Sequence, residues 1–214
     1  MTSQRLFAVL RLLFAALGLV AVASQFGVTL ANHYSIPNFF SYFTNLSNLI
    51  TIVVFVIGAV RILRGVPDTR AWNVVRFCNT VNMVFVGLVF NILLTGGDVG
   101  AVIPWVNTIV HIVMPIVVLL DWIVLPPAAR LRLVTAVVGL IFPVAYSVYS
   151  LIRGAAIGFY PYPFYNPAKV GGYGGVTLYL IALIVGLIVL ALIVVLITWA
   201  RRPAGARARD RVRA

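Results

Sequence analysis

The chain has 214 residues, 63% of them hydrophobic and only 9% charged, with no glutamate. A water-soluble domain of this length needs a far larger polar surface, so the composition excludes one and makes the bilayer the solvent. The net charge of +12 does not point to nucleic acid, because six of the sixteen basic residues fall in the tail 201–214, directly behind an apolar stretch, where they fix topology and meet anionic headgroups.

On the rule of about 20 apolar residues per crossing, six spans are expected, at 6–24, 39–63, 72–94, 102–125, 133–152 and 176–200. The first is read as a helix and not a cleaved leader, since no small-residue cleavage pattern follows Ser24 and further spans come at once. Connections are short except for the Gly/Pro/Tyr-rich segment from Arg153 to Gly175. The expected fold is therefore all-α: one polytopic six-helix bundle over residues 1–200, followed by the basic tail. Arg5 and Arg11, then Arg61, Arg64 and Arg70, then Arg130 and Arg132, and finally the tail fall at alternate ends, which puts both termini in the cytoplasm. Arg outnumbers Lys fifteen to one, a coding bias of the bacterial kind, and the membrane expected is a bacterial inner membrane. No internal repeat of the inverted-transporter type is visible.

Polar residues inside the spans are costly and tend to be functional. Ser41, Thr44, Asn45 and Asn48 in the second span fall within an arc of roughly 100° on a helix and form one stripe. Asn107 and His111 share a face of the fourth span, and Asn91 lies near the end of the third. At about 1.5 Å rise per residue, Thr44 lies roughly 7 Å and His111 roughly 13 Å below the non-cytoplasmic edge, so the two can share a cavity. Acyl transfer would use this set. His111 would take the proton of the Thr44 hydroxyl, and the amides of Asn48, Asn91 or Asn107 would meet the oxyanion, with Asn45 lining the pocket. The alternatives are a passage or headgroup-binding site, and plain helix-to-helix hydrogen bonding, in which Ser47, Asn82 and their like contribute roughly 0.6 to 2 kcal/mol each.

Asp121, about 15 Å lower on the same helix and roughly 80° round it, cannot orient the imidazole. It matches the depth of Arg76 and of Arg11, and an Arg76–Asp121 ion pair locking the third and fourth spans is expected. Cys78, the single cysteine, excludes an intrachain disulfide and a multi-cysteine metal site. His33 and Asp98, at unrelated positions in two loops, do not make a metal site, and no cofactor is called for. The aromatic run Tyr160-Pro161-Tyr162-Pro163-Phe164-Tyr165-Asn166-Pro167 suits an interfacial anchor, with a lid as the alternative.

The stretch Phe43-Thr44-Asn45-Leu46-Ser47-Asn48, with Asn107 to His111, Asp121-Trp122 and Tyr160-Pro161-Tyr162-Pro163-Phe164, resembles a bacterial family of six-helix integral membrane proteins distantly related to the androgen-induced and androgen-dependent TFPI-regulating proteins. The bacterial resemblance covers most of the chain; the wider one rests on the second and fourth spans. That wider family contains membrane hydrolases with a threonine nucleophile and a histidine, acting on fatty acid esters of hydroxy fatty acids. The resemblance implies a nucleophile at Thr44, its partner at His111 and a lipophilic ester from the membrane as substrate. Around Thr44 this chain departs from the pattern, Asn45, Ser47 and Asn48 making the helix more polar.

Overall fold

The structure, a computed structural model, describes residues 3–95, 102–127 and 131–201. Asp98, Arg130 and the basic tail beyond Arg201 lie outside the described residues. Among those described there are no strands. Helix α1 runs Ser3–Ala31, and a single turn, α2 (Ile36–Phe39), precedes α3 (Phe43–Leu63). Helix α4 (Arg70–Val89) ends in a π-helical turn, Phe90–Leu94. The fourth crossing is composite: α5 (Pro104–Thr108), a π turn over Ile109–Val113, then α6 (Met114–Val124). Helices α7 (Val134–Ile157) and α8 (Gly172–Arg201) complete the bundle, joined by a loop that contains one 3-10 turn at Pro163–Tyr165.

Six of these stretches are long and apolar enough to cross a membrane. The outer surface agrees: Leu178 is 70% exposed, Val137 63% and Ile141 62%, and a surface this apolar over whole helix faces requires lipid. The protein is a multi-pass membrane protein.

Two boundaries differ from expectation for physical reasons. Helix α1 continues seven residues beyond Ser24, to Ala31, because hydropathy reports the solvent of a segment and not its helicity, and Gln25 and Thr29 face an internal cavity. The second span begins at Phe43 and not at 39. Pro37 sits in the first turn of α2, and the side chains of Ser41 and Asn45 bond the Pro37 and Phe39 carbonyls at 2.6 and 2.8 Å, closing the short helix locally. Ser41 therefore lies in a turn, off the expected stripe, where its hydroxyl also meets Tyr149 at 2.9 Å.

Helix α4 is central, touching α3, α6, α7 and α8. This position explains its polarity: Asn73, Arg76, Asn79, Thr80 and Asn82 are all buried, hidden from lipid by the surrounding helices. Thr51 of α3 donates to Asn79 at 2.8 Å. Towards the N-terminal end of α1 lies an ion cluster. Arg11 grips both oxygens of Asp121, Nε to Oδ1 at 2.7 Å and Nη2 to Oδ2 at 2.9 Å, and Arg76 Nη2 reaches Oδ2 at 3.1 Å. Arg76 also donates to the Leu125 carbonyl at 2.8 Å. The cluster ties three spans together, α1 joining the pair expected from sequence. Gly58 of α3 makes room for it, since a Cβ there would stand 2.6 Å from an Arg11 guanidinium nitrogen.

Candidate active site

Thr44 and His111 meet at the opposite end of the bundle. Thr44 Oγ1 lies 3.2 Å from His111 Nε2. The other ring nitrogen, Nδ1, is 3.1 Å from the Asn107 carbonyl oxygen. A carbonyl only accepts, so Nδ1 carries a hydrogen; in the neutral ring Nε2 is then the bare nitrogen, and Thr44 donates to it. The imidazole is also fixed face-on by Phe90, the two rings stacking at 3.8 Å between centroids with 17° between planes.

Both residues sit on locally unusual backbone, and the sequence accounts for it. Pro115 has no N–H to give the carbonyl four residues back, which is that of His111, and the helix answers with a π turn over Ile109–Val113. The freed carbonyl receives Asn91 Nδ2 at 3.5 Å, and the same amide donates to Gly87 O at 2.7 Å. Gly87 lets the two helices approach: a Cβ there would stand 2.9 Å from Pro115 Cβ and 3.3 Å from the His111 carbonyl oxygen. The π turn Phe90–Leu94, facing the first, carries Phe90 on to the imidazole. π turns of this kind gather at functional sites.

Thr44 is the second residue of α3, where backbone N–H groups have no partner within the helix. Tyr42, at the cap position, supplies no side-chain bond. Two phenols do so instead: Phe43 N–H donates to Tyr146 and Thr44 N–H to Tyr162, each at 3.2 Å. Tyr146 passes its own hydrogen to the Ser41 carbonyl at 2.8 Å. The Tyr162 hydroxyl also stands 3.3 Å from Thr44 Oγ1. Thr44 thus lies in the first turn, at the positive end, of a 21-residue helix.

Tyr162 comes from the loop between α7 and α8. Gly158, at φ 72°, ends α7 in a conformation that side chains rarely adopt, and turns the chain back over the bundle. The sequence favours an interfacial anchor over a lid for the aromatics of this loop; the structure buries Tyr162, Phe164 and Tyr165 among Phe43, Val86 and Tyr146. Burial pushes the Tyr162 phenol up to about 12, against the lowering effect of its bonds with Thr44, and keeps it a neutral hydroxyl.

The asparagines divide. Asn45 and Asn107 line the cavity over Thr44 and His111. Asn48 is fully buried, its amide donating to the Thr44 carbonyl at 2.9 Å and the Val110 carbonyl at 3.3 Å. Like Asn91, it spends its donor group on backbone and holds helices, and neither is aimed at Thr44 Oγ1. Phe90 and Tyr162 were missed in the sequence. Phe90 is one of thirteen phenylalanines and carries no signal; the Tyr-Pro-Tyr-Pro-Phe run was visible, but its inward fold was not.

Two spaces meet at Thr44 and Tyr162. One, of about 770 Å³, is bounded by α1, α3, the fourth crossing and the loop, with Gln25, Asn38, Asn45, Asn107 and Lys169 among apolar walls. The other, about 40 Å³, is a narrow apolar slot among α4, α7 and α8, lined by Val86, Val144, Leu183, Ile184 and Leu187. His33 is exposed in the turn after α1 at φ 54°, and the described residues contain no group of three His, Cys, Asp or Glu placed to hold a metal. No family model, curated protein or solved structure matches this chain.

Proposed function

We propose that the protein hydrolyses a lipid ester within the membrane, with Thr44 as nucleophile and His111 as base and then acid. The observation that carries this reading is the 3.2 Å contact between Thr44 Oγ1 and the bare Nε2 of an imidazole whose other nitrogen is bonded to the Asn107 carbonyl. That is nucleophile, base and orienting group in series, with a backbone carbonyl in the place a carboxylate often takes.

Chemistry follows from the geometry. Thr44 gives its proton to Nε2 as Oγ1 bonds to the ester carbon, and the carbonyl electron pair moves to oxygen. Collapse expels the alcohol, which leaves with the proton from Nε2. Water entering through the larger cavity then gives a proton to Nε2, attacks the acyl-threonine, and releases the carboxylic acid as Thr44 takes its proton back. The larger, mixed cavity of about 770 Å³ has room for a lipid ester, whose apolar burial contributes about 25 cal/mol per Å². Substrate would enter from the leaflet at this end, the periplasmic one if the arginine-rich ends face the cytoplasm.

The rival reading, a passage for a solute, is disfavoured by the middle of the bundle. On their helices, the buried Ala15, Met83 and Met114 lie between this site and the Asp121 cluster, and the cavity at that cluster holds about 10 Å³ and shares no lining residue with the large one. The test is turnover of a fluorogenic acyl ester by the purified protein. Thr44→Ala should abolish it and His111→Ala should reduce it about 10²–10⁴-fold, the usual contribution of a general base. Turnover retained in both variants ends the proposal.

A further inference from the structure

We infer that Tyr162 is a third catalytic residue of this site, its phenolic hydroxyl donating to the oxyanion that forms when Thr44 attacks; the inference rests on the hydrolase reading above.

An oxyanion needs a donor beside the attacking oxygen, and two of the three amides expected to serve, Asn48 and Asn91, are turned elsewhere. Asn48 is held by the Thr44 and Val110 carbonyls, Asn91 by the Gly87 carbonyl and Asn45 by the Phe39 carbonyl. The first N–H groups of α3 are held by the oxygens of Tyr146 and Tyr162. Asn107 makes its bond to His111 through the backbone and none to Thr44.

Proton accounting then fixes what Tyr162 does. The Thr44 hydroxyl hydrogen is committed to Nε2, because Nδ1 holds the ring hydrogen against the Asn107 carbonyl. The Tyr162 oxygen accepts from Thr44 N–H. The hydrogen in the remaining 3.3 Å contact must therefore be that of Tyr162, directed at Thr44 Oγ1. During attack, the Oγ1 lone pair goes into the new bond to carbon and ceases to accept. The carbonyl oxygen, bonded to that same carbon, becomes the anion, and the phenolic O–H turns on to it by rotation about one bond. Tyr162 keeps its proton throughout; the proton that moves is the one Thr44 gives to His111. Tyr162 also lines both cavities, as Thr44 does, so a carbonyl held across Thr44 lies against the phenol.

The experiment measures kcat and KM for a fluorogenic acyl ester with full-length protein in detergent, together with the thermal midpoint of each variant. Tyr162→Phe should lower kcat about 10²–10³-fold, as loss of one oxyanion donor does, with KM within about threefold. Tyr146→Phe is the control, because it removes the phenol capping Phe43 N–H without touching Thr44 Oγ1; it should change the thermal midpoint and leave kcat within about threefold. Equal losses in the two variants would mean that Tyr162 acts only as a helix cap. An unchanged Tyr162→Phe kcat, or a large loss confined to Asn107→Ala, would also overturn the inference, while abolition in Thr44→Ala would leave the hydrolase reading standing. If Tyr162→Phe does not fold, fluorinated tyrosines at position 162 keep the hydroxyl and the cap. A kcat that tracks phenol acidity supports the assignment, and one indifferent to acidity refutes it.

Discussion

Threonine hydroxyls are ordinarily poor nucleophiles, and the one at position 44 has unusual neighbours. It stands on the second residue of a long helix, hydrogen-bonded to a bare imidazole nitrogen, with a neutral phenol beside it. Each feature favours negative charge on that oxygen or on the one that follows it. Thr44→Ser keeps the hydroxyl and loses only a methyl group, so it should retain kcat within about tenfold, where Thr44→Ala loses all turnover. Steady-state kinetics on the two variants check this, and a dead Thr44→Ser with an intact fold would count against the hydroxyl's role. Phe90→Leu removes the ring stacked on His111 and should lower kcat more than it raises KM, since the imidazole loses its orientation and not its basic nitrogen.

At the scale of the element, the site is a product of two helices forced together. Pro115 removes a hydrogen bond, the fourth crossing answers with a π turn, and Gly87 allows α4 to close on the exposed carbonyl. Gly87→Ala puts a methyl group 2.9 Å from Pro115 Cβ, so it should part the helices and reduce turnover. Gly186→Ala, whose Cβ would meet nothing within 4 Å, should leave turnover unchanged and gain about 0.5–1 kcal/mol of helix stability. Activity and thermal midpoints measured side by side separate the two outcomes; equal activity in both would remove the packing argument. Gly154 is the matching device on α7, because a Cβ there would overlap the Tyr160 ring and dislodge the loop that delivers Tyr162. These elements also mark what the sequence made legible. The crossings themselves, and the placing of Thr44 near His111, follow from hydropathy and helical rise, which are local. The start of α3 after a broken turn, the π turns and the inward fold of the Tyr160–Pro167 loop depend on which carbonyls find partners across helices, and a linear pattern does not carry that.

For the whole molecule, the two ends of the bundle have separate tasks. One carries the candidate site; the other is held by Asp121, gripped by Arg11 and Arg76 and thereby joining α1, α4 and α6. The Asp121 side chain is 14% exposed and those of both arginines 6%, so Asp121→Ala would leave two guanidinium groups nearly out of solvent without their shared carboxylate. Breaking such a pair costs about 3–5 kcal/mol, which should appear as a lowered thermal midpoint in detergent. Activity at low temperature should survive, because the fully buried Met83 and Met114 stand between cluster and site. An unchanged midpoint would show the cluster to be dispensable. The nucleophile at the other end can be captured covalently: the full-length protein is treated with a long-chain fluorophosphonate and the adduct mapped by mass spectrometry. One phosphonyl group is expected on Thr44, absent from Thr44→Ala and slowed in His111→Ala. An adduct on another residue, or labelling of Thr44→Ala at the wild-type rate, would contradict it.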